Sequence, residues 1–345
     1  MINVHTDPFC LACPLPTTPL IEVEKYIDFL IGLDDIAEAW WINKYIPKDI
    51  YDILAITNGY PNWGLLENAI NRLGKIYHPS DINRILEKML QRSNYIEDKF
   101  EIKEILADNV TCQPSFYKNR GNETFVSTFE RLVLLIGFYY AIHNLPNEDF
   151  LLVRDLTSET EIIHALAEIA ACEFQIPTSN INIPYSIDHS VTACQGLKGI
   201  CSKVDAAKIW LSAQSIREYK DALQIKVFQR NSANCANATL GDSRNWGFGR
   251  LFLKTVKDLG FSTQANKANL LLRSGTETIL NENMNSTHPL RVGSGGNDPQ
   301  RIRLRDGAKA WRRDIDYDYH LHYWESTRGI EFASVVTHND MSIPE

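Results

Sequence analysis

The sequence predicts an α+β protein: a large helical N-terminal and central body, then a small, mainly antiparallel β module at the C-terminus. Two observations carry this. Through most of the first 284 residues apolar side chains recur every three or four positions, the period of a helix with one buried face. At Asn285-Ser286-Thr287 that period gives way to strict alternation, the period of a strand. A length of 345 residues also exceeds what one core usually serves, so two or three packed units are expected.

From Leu20 to about Asn94 the helical spacing runs through Ile21, Tyr26, Phe29, Leu30 and Leu33, and again through Ile82, Ile85, Leu86 and Leu90. Ser80 is expected to cap the second run, with Asp81 in its first turn and Pro79 just outside. Pro47, Asn58-Gly59 and Pro61 mark the loops, which gives a helical N-terminal domain over residues 1–110. Thr111 to Thr124 holds Pro114 and Gly121 without periodicity and reads as a linker.

A helical central domain is expected over residues 125–284. It opens with Phe125 to His143, followed by a capping box, Ser158-Glu159-Thr160-Glu161, leading into a helix from Ile162 to Phe174. One long helix is expected from Asp205 to about Phe228, and another from Arg250 to Leu259. The apolar run Leu132 to Ile142 is too short for the ~20 residues that span a bilayer, so it reads as a buried core helix and no membrane partner is expected.

Residues 286–345 form the expected β module. The cluster Gly293 to Pro299 marks a loop, and a turn around Thr327-Arg328-Gly329 is expected to reverse the chain into a strand from Ile330 to Thr337.

The bulk composition is that of a folded globular protein, with 44% hydrophobic and 23% charged residues. Seven cysteines scattered over a large chain do not form a disulfide framework, and no basic region followed by an apolar stretch opens the sequence, so a cytoplasmic location with free thiols is expected. A net charge of −8 disfavours a nucleic-acid partner for the chain as a whole. One stretch departs from this balance. Arg291, Arg301, Arg303, Arg305, Lys309, Arg312 and Arg313 face only Asp298 and Asp306 over the same span.

In that stretch Arg301, Arg303 and Arg305 alternate with Ile302 and Leu304, so a strand would gather the guanidinium groups on one face. Guanidinium forks suit phosphate, which makes the three arginines, with Arg312 and Arg313, candidate RNA contacts. Next, Asp314, Asp316, Asp318, His320 and His322 all fall on even positions, which would line one strand face with carboxylates and imidazoles.

Two chemistries fit this face. In one, His320 or His322 takes the proton of a ribose 2′-hydroxyl and His338 protonates the leaving oxygen, with no cofactor. In the other, His320 and His322 bind a divalent metal, with Asp318 or Asp340 completing the site. Set beside both, a wet strand face with cross-strand Arg–Asp pairs would produce the same pattern without chemistry.

A basic strand, a strand rich in Tyr and His, a turn, an apolar strand and a terminal His338-Asn339-Asp340 follow one another from Arg301 to Asp340, after His288-Pro289-Leu290-Arg291 and a glycine loop. This order resembles the β-sheet of RelE-type toxin ribonucleases and their barnase-like relatives, over about 55 residues. The resemblance implies metal-independent RNA cleavage, with Arg303, Arg305 and Arg313 on phosphate and His320, His322 or His338 as acid and base.

Other signals are weaker. Cys10-Leu11-Ala12-Cys13 lacks the second half-site of a structural zinc and reads as a loop with two thiols. Gly293 to Gly296 lacks the Lys-Ser/Thr of a phosphate-binding loop, and Gly241-Asp242-Ser243 lacks the second glycine of a nucleophile elbow. His143 and His164 are expected within or at the ends of apolar helices, packed or capping.

The expected function is thus an RNA-cleaving effector of a toxin or phage-defence kind, its helical body engaging a protein partner or inhibitor. The alternative is a noncatalytic subunit of a larger assembly that docks nucleic acid or an acidic protein.

Overall fold

In the computed structural model, residues 1–74, 77–175, 181–235, 238–241, 243–293 and 297–345 are described. The protein is α+β, and its chain divides into two compact units, Met1–Ile200 and Cys201–Glu345. The two boundaries expected from composition, at 111–124 and near 285, both lie inside units.

The first unit is built on a mixed seven-stranded sheet. Its strands are β1 (Ile2–Thr6), β2 (Ile42–Ile46), β3 (Asn94–Tyr95), β4 (Ile102–Gln113), β5 (Phe150–Leu152), β6 (Thr160–Phe174) and β7 (Tyr185–Cys194), in the spatial order β3-β2-β1-β5-β7-β6-β4. The first five in that order run parallel, and β6 and β4 close the sheet antiparallel. The helices are α1 (Pro8–Leu11), α2 (Leu20–Glu38), α3 (Ile50–Ile56), α4 (Trp63–Leu73), α5 (Pro79–Arg92), α6 (Ile96–Phe100) and α7 (Glu123–Ile142).

Helix α7 is the expected core helix. Asn122 caps it by accepting from Thr124 N at 2.9 Å, and Leu132, Val133, Ile136 and Phe138 are wholly buried in the core it forms with β4, β6 and β7. By length and composition it would also pass for a membrane span, but 67% of its apolar window is buried inside the protein.

The largest correction falls on residues 162–174. They form strand β6, not a helix: Ile163, Ala165, Ala167 and Ile169 are buried while Ile162, His164, Leu166 and Glu168 are exposed, which is period two. The Ser158 hydroxyl donates to Thr160 O at 2.7 Å instead of capping a helix. Paired on both sides, by β7 and β4, the segment satisfies its backbone in ladders that outweigh the helix preference of its alanines and glutamates.

Two smaller corrections concern helix ends. His78, not Ser80, caps α5, and its imidazole and the Asp81 carboxylate form the capping box; Pro79 stands inside as the first helical residue, where its missing N–H costs nothing. The expected long helix from Asp205 is two helices, because Ser215 and Glu218 form a fresh capping box.

That break lies in the second unit, entered within α8 (Leu197–Lys203). Helices α9 (Ala206–Ser212), α10 (Ile216–Asn234), α11 (Phe252–Asp258) and α12 (Ala265–Leu280) cover one face of a five-stranded sheet. Its strands are β8 (Trp246–Phe248), β9 (Thr287–Pro289), β10 (Lys309–Asp314), β11 (Tyr319–Ser326) and β12 (Gly329–Thr337), in the order β8-β12-β11-β10-β9. All pairs are antiparallel except β12 with β8. The sheet therefore recruits a strand from about 40 residues before the expected module.

The hairpin at Thr327-Arg328-Gly329 is present. Gly329 has φ 130° and a Cβ there would lie 2.1 Å from Asn245 O, so only glycine fits where β8 joins the sheet. The basic strand is not present: Arg301 to Arg305 makes only isolated bridges and a turn, with Ile302 and Leu304 exposed and Arg303 buried. The predicted alternation is inverted, because Arg303 gains two carboxylate partners by turning inward. The alternating Asp-to-His strand is also broken. Residues 315–318 are bends, so Asp314 and His320 end up facing one another across a hairpin. The predicted glycine loop and the Gly241-Asp242-Ser243 motif each include residues outside those described, 294–296 and 242.

Candidate functional site

The two faces of the second sheet divide its side chains cleanly. Tyr319, Leu321, Tyr323 and Phe332 meet the helical layer, as in the edge-on contact of Tyr319 with Phe261 and the tilted contact of Phe332 with Phe252. The opposite face carries polar groups in two cross-strand rows. His288, Arg312, His322 and Ser334 are register partners in one row, and Asp314 and His320 begin the next.

His320, His322 and His338 come together on this face. The His320 and His338 ring centroids are 4.6 Å apart, and the His320 and His322 rings are nearly parallel with centroids 6.4 Å apart. Asp314 Oδ1 lies 3.0 Å from His320 Nδ1, and His288 Nε2 is 3.7 Å from the other Asp314 oxygen. His338 continues outward into a stack with Tyr317, which is 88% exposed.

Burial sets the protonation of the two inner imidazoles. His320 is held below the ordinary histidine value first by loss of hydration, which the neighbouring Asp314 charge only partly offsets. His322 is pushed down to about 4 for the same leading reason. Its Nδ1 contacts Ser342 O at 2.8 Å, which requires the proton there, so Nε2 carries the lone pair. That Nε2 and the Ser334 hydroxyl oxygen are buried without a hydrogen-bond partner among the described residues.

The contact with Ser342 belongs to a strap. Residues 340–344 cross the polar face, held by Ser342 O on His322, Pro344 O accepting from Trp324 Nε1 at 2.8 Å, and Met341 O accepting from Arg301 Nη1 at 2.9 Å. Ile343 packs against the small apolar cluster of Leu290, Ala308, Ala310, Trp324 and Ala333. Asp340 turns the strap by accepting from Ser342 N, and these hydrogen bonds hold its carboxyl below the usual range.

The arginines expected on phosphate are mostly committed elsewhere. Arg303 pairs bidentately with Asp306 and also with Glu331, and Arg305 reaches Glu331 at 3.3 Å. Arg313 is fully buried on the helix-covered side, donating to Glu277 at 2.9 Å and to Glu282 O and Asn283 O. Arg301 also caps Arg291 O. Arg312 alone lies in the row beside His322, in contact with Met341 Sδ at 3.5 Å. The reason is electrostatic: a guanidinium in a folded chain finds an acid or a carbonyl unless the fold denies it one.

Asp318, expected beside the histidines, is exposed; its carbonyl accepts from His338 N at 2.8 Å and so places that residue. Among the described residues no group of three or more His, Cys, Asp or Glu side chains could hold a metal ion, so the alternative set His320, His322, Asp318 and Asp340 is not assembled as ligands. Sequence reading missed Asp314 as the partner of His320, and His288 and Ser334 as neighbours. The even-position spacing of Asp314 was visible, but the pairing needed the hairpin turn.

Two buried ionic networks in the first unit had no sequence signal. Arg120 pairs with Asp7 at 2.6 Å and Asp155 at 2.8 Å, its guanidinium between Phe9 and Phe129. Separately, Asp149 accepts from Asn3 at 2.7 Å and contacts both His5 Nε2, at 2.7 Å, and Lys99. Burial raises the Asp7 carboxyl and lowers His5. Each network joins residues more than 30 positions apart and locks the sheet to a neighbouring loop or helix. Cys10 and Cys13 are buried free thiols beside the first, and His164 stands exposed on β6 instead of within or at the end of a helix.

Scans against protein-family models, curated proteins and solved structures give no match for this chain.

Proposed function

We propose that the second unit cleaves RNA at the polar face of its sheet, without a metal. The observation that supports this is the convergence of His320, His338 and Asp314: a carboxylate 3.0 Å from one imidazole, and a second imidazole ring 4.6 Å from the first. In this reading His320, whose ring nitrogens are otherwise buried without a hydrogen-bond partner among the described residues, takes the 2′-hydroxyl proton as the oxygen attacks phosphorus, with the Asp314 carboxylate close enough to favour the imidazolium that forms. His338 gives a proton to the departing 5′-oxygen, leaving a 2′,3′-cyclic phosphate and a 5′-hydroxyl. Arg312 faces the phosphate, and the exposed Tyr317 offers a ring on which a splayed base stacks. The resemblance to RelE-type and barnase-like ribonucleases points the same way, through the histidines and not through Arg303, Arg305 or Arg313.

The strap covers His322, so substrate access requires residues 340–344 to lift. Deleting residues 341–345 is expected to raise cleavage, and His338→Ala or His320→Gln to lower it by about 10²-fold or more while shifting the melting temperature little. The assay is cleavage of a labelled RNA by the full chain with and without EDTA. Absence of cleavage by both the intact and the trimmed chain would sink the reading. A noncatalytic binding subunit is favoured by one observation, the near-complete burial of His320 and His322; it predicts RNA retention in fluorescence anisotropy with no product.

A further inference from the structure

On the helical layer of the second unit, α10 and α12 leave between them a groove of about 810 Å³. Its walls follow helical spacing. Lys226, Arg230 and Ala233 line one side, and Asn266, Leu270, Arg273 and Glu277 the other. The charge is unevenly neutralised. Arg230 pairs with Glu282 at 2.9 Å, and Glu277 is taken up by Arg313 and Asn283. Among the described residues Lys226 and Arg273 have no carboxylate partner, and Arg273 donates only one Nη2 hydrogen bond, to Ile315 O at 3.1 Å. Two cations therefore face the groove with donors to spare.

Thr276 supplies an independent observation. It lines the groove, is 3% exposed, and its hydroxyl oxygen is buried without a partner among the described residues. A helical threonine ordinarily turns its hydroxyl onto the carbonyl four residues back, as Thr278 does to Ser274 O at 2.7 Å. Thr276 does not, and a buried hydroxyl left unpaired costs free energy unless something else meets it. The amides of the walls are oriented as well. Gln229 Nε2 donates to Cys201 O and Val204 O, and Asn269 Nδ2 to Ala265 O, so each presents its carbonyl oxygen as a fixed acceptor.

We infer that this groove is a binding site for a nucleoside phosphate. Lys226 and Arg273 hold the phosphate, with the Thr276 hydroxyl as a further contact. The amide oxygens of Gln229 and Asn269 take the exocyclic amino group of a base, and Leu270 and the methylene stems of the cationic side chains supply the apolar surface against which its ring lies. The volume suits such a ligand and far exceeds what a bare phosphate fills. The site is on the helices and not on the histidine face, so it stands or falls apart from the cleavage proposal.

The test is calorimetric titration of the full chain with AMP, adenosine and inorganic phosphate, each also run on Lys226→Ala, Arg273→Ala and Thr276→Val. AMP is expected to bind, with adenosine and phosphate each at least about tenfold weaker. Either cation variant should lower AMP affinity about tenfold, and Thr276→Val several-fold without lowering the melting temperature, since it removes an unpaired hydroxyl. His338→Ala should leave AMP affinity unchanged. The inference is overturned if AMP does not bind, if adenosine or phosphate binds as tightly as AMP, or if the three groove variants all keep the wild-type affinity within a factor of two.

Discussion

His322 shows how burial decides a residue's chemistry. Its folded value of about 4 lies below the unfolded 6.5, so the unfolded chain takes up a proton that the folded chain refuses. Stability is therefore full above pH 6.5 and falls as pH drops toward 4, by about 3 kcal/mol from this group. Urea midpoints measured at pH 7 and pH 4.5 should fall together less steeply in His322→Gln than in the wild type. The arginines divide by the same physics. Arg313→Ala leaves Glu277 and two carbonyls short of a donor in a buried setting and should cost about 3–5 kcal/mol. Arg305→Ala removes an exposed pair and should stay within about 0.5 kcal/mol. Equal effects in chemical denaturation would contradict this placement. The sequence named both as phosphate contacts because composition reports charge and is blind to who already holds it.

At the scale of elements, β6 is the instructive case. Read alone, Glu161 to Phe174 carries good helix formers and a capping-box pattern, yet its exposure alternates. A charge at Ala165 would lie in the core and should unfold the first unit, at a cost above about 4 kcal/mol; a charge at Leu166, 43% exposed, should cost within about 0.5 kcal/mol. Thermal melts of Ala165→Lys and Leu166→Lys separate strand from helix, since only a strand puts these neighbours on opposite faces. Helix α7 and the Gly329 hairpin were legible because each carries a local signal: an apolar run with an Asn cap, and a glycine whose positive φ lets the chain turn. The short parallel strands β1, β2 and β5 were not: at three to five residues none is long enough to show a period, and only β5 is buried throughout.

For the molecule as a whole, the β module is not separable from the helices before it. Its apolar face rests on α10 to α12, it takes β8 from residues 246–248, and Val335 N donates to Thr255 Oγ1 of α11 at 2.9 Å. Residues 201–345 expressed alone should melt cooperatively by circular dichroism, whereas residues 286–345 should not, since half of their sheet would face water. A cooperative melt from the shorter fragment would overturn this account of the unit.

Period and composition by themselves fixed the α+β class, the core helix α7, the C-terminal hairpin and the grouping of His320, His322 and His338 within twenty residues. Those features rest on interactions between near neighbours, which sequence spacing encodes. The tertiary structure alone decided which way Arg303 and Arg313 point, that Asp314 rather than Asp318 stands beside His320, and that Thr160–Phe174 pairs as a strand. Each of those depends on a partner distant along the chain or across a turn, and burial there outweighs local preference because an unpaired charge or backbone group away from water costs more than any propensity can return.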